Sequence, residues 1–282
     1  MDTLRAVPSR FDADQVGICL ATLHFDERQL VAADVERLTR VAAAAGFPSL
    51  ALKVNWVRTY GVDATRALLD EVGLTAGALE SAMTWPDGPE AAVEQGDPLL
   101  DVASALGAGV LHAATLAVEL DSARATEGFA ALCERARAHN IDVSLEFIPT
   151  YAVPDLETAW QIVRGSGAGN GGICIDFMHW HYQPGGPDFN QLRDIPGERI
   201  TYVQPTDAPS TVSDTPAEYL AECVTLRPVP GDGVVDVDAM VAALSATTAD
   251  PYIAYQVCNT AMAATPDAMA ARLRANASTL FA

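Results

Sequence analysis

Lysine is almost missing from this sequence, and basic residues of any kind are few. Lys53 is the only lysine among 282 residues, and 17 basic residues stand against 37 acidic ones, for a formal charge of −20. A surface of this sign repels phosphate backbones and anionic lipid headgroups. We therefore expect neither nucleic acid nor a membrane surface among the partners of this protein.

Long apolar runs and cysteine motifs are missing as well. No stretch reaches the roughly 18 uncharged apolar residues of a membrane-spanning helix, and the first residues have no apolar core of the signal-peptide kind. The five cysteines are scattered and odd in number, without metal-ligand spacing. Cys19, Cys174 and Cys258 lie in apolar runs, where a free thiol packs as a small hydrophobe. These features predict a cytoplasmic protein.

Short apolar runs alternate with longer amphipathic ones along the whole chain. The short runs are nearly uninterrupted, as is typical of parallel strands covered on both faces. The predicted strands are Val16–Thr22, Leu50–Val54, Leu74–Leu79, Val110–Ala114, Val143–Phe147, Gly172–Asp176, Ile200–Gln204 and Tyr252–Gln256. Eight strands alternating with helices, with no linker between them, predict one (β/α)8 TIM barrel over residues 1–282. An open doubly wound sheet is the alternative.

Polar side chains recur where the predicted strands end, and that end of a (β/α)8 barrel, its mouth, carries the chemistry. Strands five to eight end in Glu146, Asp176, Gln204 and Gln256, and His179 follows the sixth strand. Carboxylate, amide and imidazole groups suit Mg²⁺, Mn²⁺ or a similar ion. The sequence therefore predicts one divalent metal ion at the mouth, with no choice among manganese, magnesium, cobalt and zinc.

Five segments, in this order and spacing, resemble motifs of the xylose-isomerase-like superfamily, also called the sugar phosphate isomerase/epimerase superfamily. SLEFIP resembles its strand-five LE-x-x-P motif, ICIDFMHWH its strand-six D-x-x-H motif, and ITYVQPTDAP its strand-seven motif. RPVPGDGVVD is similar to the R-x-x-P-G-x-G-x-x-D stretch of the family, and YIAYQVCN stands where the family usually has Glu-Val in strand eight. The resemblance runs from about Phe47 to the end of the chain, and it implies a TIM barrel enzyme that uses a divalent metal.

The resemblance also implies a role for each residue that matches a motif. Glu146, Asp176 and Gln204 would be metal ligands, and Glu146 would also be the catalytic base. His179 would lie beside the ion and contact substrate or orient a ligand, and Arg227 would reach a substrate hydroxyl or phosphate. A structural interpretation stays open for two of them. Glu146 could form a salt bridge across the mouth, and Asp176 could cap the following turn.

Gln256 departs from the family pattern, which has a second glutamate at the fourth ligand position. In the family's aldose–ketose isomerases and epimerases, two glutamates on opposite sides of the substrate relay a proton through an enediolate. An amide cannot exchange protons near neutral pH, so a two-base epimerisation is disfavoured here. A one-base isomerisation, or a β-elimination with His179 as the acid, is compatible with Gln256. In another interpretation, Gln256 is out of register and strand eight supplies no ligand.

Four further residues are predicted to bind substrate at the mouth: Lys53, Trp85, His112 and Trp180. A lysine at the apolar end of a strand, in a chain with no other lysine, indicates a position that needs a cation, although an ion pair would also explain it. The two tryptophans could form a wall for a sugar ring, or they could pack in the core. His112 could be a core histidine with satisfied hydrogen bonds.

The combined pattern predicts a divalent-metal-dependent enzyme of the isomerase or epimerase type. Its expected substrate is a small polyhydroxylated or keto molecule, such as a sugar or a cyclitol, which reacts via an enediolate-like intermediate. One alternative is a lyase or dehydratase of the same superfamily, including enzymes that cleave carbon–glycosides. Another is a barrel that has lost catalysis and only binds a ligand. A homo-oligomer is compatible with each of these.

Two branches of the superfamily are disfavoured by particular residues. Dehydroshikimate dehydratases have a histidine two residues after the strand-five glutamate, where this chain has Ile148. The endonuclease branch needs a histidine-rich three-metal cluster and a basic groove. Five histidines in a chain of formal charge −20 supply neither.

Overall fold

Eight short parallel strands close into a barrel in chain order, and β1 is hydrogen-bonded to β8. The computed structural model describes residues 9–24 and 30–282. The strands are β1 Gly17–Cys19, β2 Ser49–Lys53, β3 Thr75–Ala82, β4 Val110–Ala113, β5 Asp142–Glu146, β6 Gly171–Asp176, β7 Ile200–Gln204 and β8 Tyr252–Tyr255. This is the (β/α)8 TIM barrel that the alternating pattern predicts, and the doubly wound alternative is excluded.

Helices follow the strands and cover the outside of the barrel. The α-helices are α1 Ala32–Ala44, α2 Val54–Tyr60, α3 Val62–Val72, α4 Pro89–Leu106, α5 Ser122–Arg137, α6 Leu156–Ser166, α7 Phe177–Tyr182, α8 Phe189–Asp194, α9 Pro216–Cys223, α10 Val237–Ser245, α11 Thr260–Ala263 and α12 Pro266–Leu280. Short 3-10 helices lie at Ala13–Gln15, Leu20–Leu23, Trp85–Asp87 and Gly197–Arg199. Within the described part of the chain, no helix combines the length and the apolar character needed to cross a lipid bilayer.

The observed strand bounds differ most from the predicted ones at β1 and β3, and β3 runs on to Ala82, three residues beyond its predicted end. The first predicted strand extends to Thr22, but the structure ends β1 at Cys19 and continues as the 3-10 helix Leu20–Leu23. Both segments are buried, so an apolar run alone does not tell a strand from a short helix. At the other end of the chain β8 ends at Tyr255, and Gln256 is the first residue beyond it.

Local sequence signals fix the ends of several helices. Asp121 and Asp155 precede α5 and α6, and their carboxylates accept hydrogen bonds from backbone N–H groups of the first turn. Gly73 and Gly107 end α3 and α4 with φ of 74° and 73°, a left-handed conformation that favours glycine. With these ends fixed, each amphipathic helix packs back on the barrel, and the chain enters the next strand from the opposite end to the mouth.

Polar side chains cross the barrel interior just below the mouth. The Tyr202 hydroxyl on β7 donates a hydrogen bond to Glu80 Oε1 on β3, at 3.0 Å. These strands are four positions apart in the closed sheet, so the contact spans the interior. Tyr252 packs beside Tyr202, and a Cβ at Gly77 would lie 2.1 Å from the Tyr252 ring. A small residue on β3 therefore makes room for the aromatic rings that fill the barrel beneath the site.

Candidate functional site

The ends of β5 and β6 bring two carboxylates and an imidazole together. Glu146 is the last residue of β5, and Asp176 is the last residue of β6. His179 lies in α7, which starts directly after Asp176. One ligand atom from each of the three side chains lies within 4.8 Å of the other two, and all three residues are buried. The structure thus joins three of the predicted site residues in one cluster.

The hydrogen bonds of His179 fix its tautomer. Its Nε2 lies 3.2 Å from Arg227 Nη2, and its Nδ1 lies 2.9 Å from the Tyr219 hydroxyl. A guanidinium can only donate, so Nε2 accepts and Nδ1 carries the proton that is donated to Tyr219. Burial lowers the pKa of His179, against the attraction of Asp176 and Glu146, which raises it. His179 is therefore a neutral imidazole whose lone pair, on Nε2, points into the cluster 3.8 Å from Glu146 Oε1.

Glu146 is held in its charged form by histidine neighbours. Burial by itself raises the pKa of Glu146, but His112, followed by His179 and Arg227, lowers it to about 2. The ion pair with His112 joins Nε2 and Glu146 Oε2 at 3.3 Å. Burial opposes a charge on His112 as well, yet Glu146 raises the pKa of His112 above its usual value. The second imidazole nitrogen of His112 is 2.8 Å from Ser81 Oγ. The partners of Glu146 are thus the imidazoles of His112 and His179.

Arg227 is buried beside the same cluster and pairs with Asp176. Its Nη1 contacts Asp176 Oδ2, and its Nε donates to the Cys223 carbonyl at 2.7 Å. Burial disfavours the charge on the guanidinium, but Asp176 and further neighbours, Glu146 among them, together outweigh burial, so the pKa of Arg227 is raised. The Arg227 backbone is tied to the segment after β8, since its N–H donates to the Cys258 carbonyl. Asp176 also accepts a hydrogen bond from the His179 N–H at 3.0 Å, so it caps α7 as well as belonging to the site.

Two glutamines and a glutamate form the opposite wall of the site. Gln204 Nε2 donates to Glu80 Oε1 at 3.3 Å and to the side-chain oxygen of Gln256. The side chain of Gln256 therefore lies at the site, against the interpretation that strand eight is out of register. Glu80 also forms an ion pair with Lys53, at 3.5 Å between Oε2 and Nζ. The ion-pair interpretation of Lys53 is thus correct, and its side chain still lies on a cavity at the mouth.

The donor set fits a divalent ion. Among the described residues, the buried atoms Glu146 Oε1 and Gln204 Oε1 have no hydrogen-bond donor. A buried acceptor without a partner is costly, and a cation bound by these oxygens would remove that cost. A second group of His112, Glu146 and Cys174 is equally close. Burial raises the pKa of Cys174 well above its usual value, so its thiol is protonated in the metal-free site.

Both predicted tryptophans lie in the core instead of lining the mouth. Trp85 is fully buried, donates from Nε1 to the Ala114 carbonyl at 2.9 Å, and packs edge-on against Phe129. Trp180 is fully buried as well and packs edge-on against Phe189. The prediction that these rings bind substrate is corrected, because both face the layer between strands and helices. A tryptophan that follows a strand can turn outward to the helices as readily as inward.

Three residues of the site are not among the predicted site residues. Tyr219 orients His179 from α9, in the long connection between β7 and β8. On β3, Ser81 contacts His112 and Glu80 contacts Gln204. Glu80 had a weak signal as a carboxylate inside an apolar strand, whereas Tyr219 looks like any aromatic residue on an amphipathic helix. Their roles depend on contacts between distant parts of the chain.

Asp207, which follows β7, holds the glycine-rich part of the loop that carries Arg227. Its Oδ1 accepts hydrogen bonds from the N–H groups of Ala208 and Val235 at 2.8 and 2.9 Å. Its Oδ2 accepts from those of Gly231 and Gly233 at 2.8 and 2.9 Å. A Cβ at Gly233 would lie 2.4 Å from Asp207 Oδ1, so the approach requires glycine. The motif match at this loop thus reflects a carboxylate with four backbone donors.

Replacing Asp207 by asparagine should lower the free energy of unfolding by about 1–3 kcal/mol, because an NH₂ group replaces one acceptor oxygen and leaves buried N–H groups without partners. Urea unfolding followed by circular dichroism measures this. Asp236→Asn is the matched control, since the exposed Asp236 caps α10 and asparagine caps a helix about as well. An equal loss in the two variants would contradict the structural role of Asp207.

The sequence profile described as xylose isomerase-like TIM barrel matches residues 39–275 of this chain. The chain belongs to the xylose isomerase-like TIM barrel family. The matched range contains all the residues of the cluster, the Arg227 loop and seven of the eight strands. The resemblance seen in the five motifs is therefore confirmed, and the fold implied by that family is the fold observed.

Individual members of the family that resemble this chain have different activities. A 3-dehydroshikimate dehydratase of Pseudomonas aeruginosa is 29% identical over 136 residues, which is 48% of this chain and 20% of the dehydratase. An inosose isomerase of Bacillus subtilis is 29% identical over 115 residues, 40% of this chain and 38% of the isomerase. The chain thus spans well under half the length of either relative. Homologues of this kind make an enzyme the expected class.

Among solved structures, the IolI protein with a bound zinc atom superposes with a TM-score of 0.74. It is 16% identical, and the alignment covers 87% of this chain and 92% of the IolI chain. An identity this low establishes a common fold and no more.

Proposed function

We infer that this protein is a divalent-metal-dependent enzyme of the isomerase type, acting on a small polyhydroxylated or keto substrate. The observation that carries this proposal is the buried cluster of Glu146, Asp176 and His179, with unpartnered oxygens facing it. The zinc atom in the IolI structure and the inosose isomerase among the relatives support it. Sugars, cyclitols and related hydroxyketones are the substrate class, and a homo-oligomer is compatible with the proposal.

The residues that would hold the ion are Glu146, Asp176 and Gln204, with His179 Nε2 beside them. When bound, the ion would act as a Lewis acid toward adjacent oxygens of the substrate. Gln256 is a ligand candidate through the same oxygen that now accepts from Gln204 Nε2. Two carboxylates and neutral donors give a site with limited negative charge, since Arg227 already neutralises Asp176. Such a site favours a substrate that contributes oxygen atoms of its own.

The proton-transfer groups are on one side only. Glu146 is a carboxylate at neutral pH because its pKa is lowered, and it would remove the proton from substrate. His112 orients Glu146 Oε2, and Tyr219 keeps His179 in the tautomer whose lone pair faces the site. On the opposite wall Gln256 has no proton to exchange. A single base that returns the proton to a neighbouring carbon isomerises its substrate, whereas epimerisation needs a second group on the other face.

A lyase is the second candidate, supported by the similarity to a 3-dehydroshikimate dehydratase. In that reaction Glu146 would remove the proton. His179 could protonate the leaving hydroxyl only in its charged form, because Nε2, which faces the site, carries no proton in the neutral imidazole. The two classes differ in their products, because isomerisation conserves mass and dehydration loses one water. Mass spectrometry of product mixtures separates them directly.

The proposal is tested by elemental analysis of the purified protein, followed by a substrate screen with the ion present and removed by chelation. Turnover of a sugar, cyclitol or hydroxyketone that stops on chelation and returns with the ion supports it. A bound ion without turnover of any member of these classes favours the ligand-binding barrel. Turnover that is indifferent to chelation contradicts metal dependence.

Replacing Gln256 by glutamate should tighten metal binding by about tenfold, because a third carboxylate attracts a divalent ion more than an amide does. The carboxylate can still accept the hydrogen bond from Gln204 Nε2, so the wall keeps its geometry. Turnover should slow, since added negative charge weakens the ion as a Lewis acid. Gln161→Glu on exposed α6 is the matched charge control. Unchanged metal affinity in Gln256→Glu would show that residue 256 does not contact the ion, and faster turnover would indicate a two-base mechanism.

A further inference from the structure

A cavity of 610 Å³ opens beside the cluster, between the carboxyl ends of β2 and β3 and the helices α2 and α4. Its polar lining consists of Lys53, Asn55, Arg58, Glu80, Ser81 and Gln95. Among the residues that the structure describes, two cations against one carboxylate make the lining net positive, in a chain of formal charge −20. An excess of cations at one concave place of an acidic protein indicates an anionic ligand.

Two other cavities lined by described residues do not share this charge. In the cavity beside Arg66 and Asp70, the lining has one cation and one carboxylate, so its charge is balanced. Another, at the amino-terminal ends of the strands, contains Asp142, Glu198 and Asp250 and no cation. The positive lining is therefore a property of the cavity at the mouth and does not follow from the composition of the surface.

Of the three charged side chains in the cavity, Glu80 and Lys53 pair with each other, and Arg58 is the second cation. Glu80 is buried, and its Oε1 accepts from Tyr202 and Gln204, while its Oε2 faces Lys53 Nζ. Lys53 thus already has a carboxylate partner. Arg58 is exposed on α2, and within residues 9–24 and 30–282 no ion pair or hydrogen bond holds its guanidinium. A planar guanidinium binds carboxylate or phosphate oxygens in pairs.

Gln95 adds an oriented donor to the same wall. Its Oε1 accepts from the N–H groups of Met83 and Thr84, at 2.5 and 3.0 Å, and from the Thr84 hydroxyl at 3.3 Å. With the oxygen fixed on the chain, the group that Gln95 can offer to a ligand is its NH₂. Neutral donors beside a cation are the usual composition of a site for an oxyanion.

The cavity is connected to the cluster through side chains that belong to both. Ser81 Oγ is 2.8 Å from His112 Nδ1, and His112 Nε2 is 3.3 Å from Glu146 Oε2. On the other side, Glu80 Oε1 is 3.3 Å from Gln204 Nε2. A ligand held in the cavity therefore lies one side chain away from the groups of the proposed reaction.

We propose that this cavity binds an anionic substituent, a carboxylate or a phosphate, of the substrate whose reacting carbons lie at Glu146. Arg58 contacts the anion directly, Gln95 donates from its amide, and Lys53 adds its charge from the paired position. The cavity narrows the substrate class from any polyhydroxylated molecule to sugar acids and sugar phosphates. Only the position of the reacting carbons rests on the proposed function, because the anion site itself needs no turnover.

The test is calorimetric binding at low salt of three probes to the full chain: gluconate, glucose 6-phosphate and the uncharged glucitol. At least one charged probe should bind about tenfold more tightly than glucitol, and Arg58→Gln should remove that advantage. Gluconate preference identifies a carboxylate, and glucose 6-phosphate preference a phosphate. Arg66→Gln, an exposed arginine on α3 with the same change of charge, is the matched control and should bind like the wild type.

Equal affinity for the three probes, including no measurable binding of any of them, overturns the proposal. An equal loss in Arg58→Gln and Arg66→Gln overturns it too, because the attraction would then come from overall charge. These binding results are independent of metal content and turnover. Failure of the anion site would leave the metal-dependent reaction standing, and failure of the latter would leave the measured anion preference standing.

Discussion

Replacing Glu146 by glutamine should weaken divalent-metal binding by about a hundredfold or more and abolish turnover. The change keeps the size of the side chain but removes one of the two carboxylates of the cluster and the proposed base. Loss of a residue that merely orients a ligand already costs about 10–100-fold in metal affinity, and a direct ligand costs more. Zinc affinity measured by competition with a chelator gives the result, and elemental analysis of the purified variant gives its metal content.

The control for this experiment is Glu119→Gln, which removes the same charge from an exposed position. Glu146→Gln also breaks the ion pair with His112, so urea unfolding must show that the variant is folded. Metal affinity equal to that of Glu119→Gln would remove Glu146 from the list of ligands. Lost turnover with unchanged metal affinity would leave Glu146 as a base only.

Replacing Arg227 by methionine should destabilise the metal-free protein by about 3–5 kcal/mol, because it leaves the fully buried Asp176 carboxylate without its cation. A divalent ion bound at Glu146 and Asp176 would supply a new cation at the same place. Zinc should therefore stabilise the Arg227→Met variant more than it stabilises the wild type. Urea unfolding with excess chelator, and again with saturating zinc, measures both differences.

The double variant Asp176→Asn/Arg227→Met separates the charge effect from the loss of packing. It removes both members of the pair, so with chelator present it should be more stable than Arg227→Met alone. It should gain little from zinc, since a ligand is gone. An equal zinc effect in the wild type and in Arg227→Met would mean that the ion does not neutralise Asp176.

The layout of the barrel and most of the candidate site could be predicted from the sequence. Parallel strands that are buried on both faces appear in the sequence as apolar runs. The polar residue at the end of each run indicates the mouth of the barrel. Glu146, Asp176 and Gln204 each end such a run, so local pattern was sufficient for them. Gln256 ends the predicted eighth strand in the same way, and in the structure its side-chain oxygen accepts a hydrogen bond from Gln204 Nε2.

The remaining features depend on side-chain direction and on distant contacts. Trp85 follows a strand, as the candidate ligands do, but its ring packs against α5. No periodicity in the sequence indicates the direction of this side chain. Tyr219 comes from a helix 40 residues after His179, within a connection whose course cannot be deduced from composition. Ser81 is placed against His112 only by the register of β3 and β4. Asp207 was placed after strand seven by the motif, but its four backbone donors are visible only in the folded loop.

The four hydrogen bonds of Asp207 also determine how this barrel can diverge. They hold residue 208 close to residues 231–235, so the chain between these positions is a long loop whose two ends are held together by one side chain. A change in the length of such a loop has a small free-energy cost, since each doubling of a flexible loop adds only about 0.6 kcal/mol of closure entropy. Insertions or exchanges there can reshape the rim over the substrate while β7 and β8 keep their register. Arg227 lies within this loop, and the hydrogen bond from its backbone N–H to the Cys258 carbonyl anchors it separately to the segment after β8. This part of the rim can therefore change in evolution, provided that it keeps Arg227 paired with Asp176 and the hydroxyl of Tyr219 hydrogen-bonded to His179.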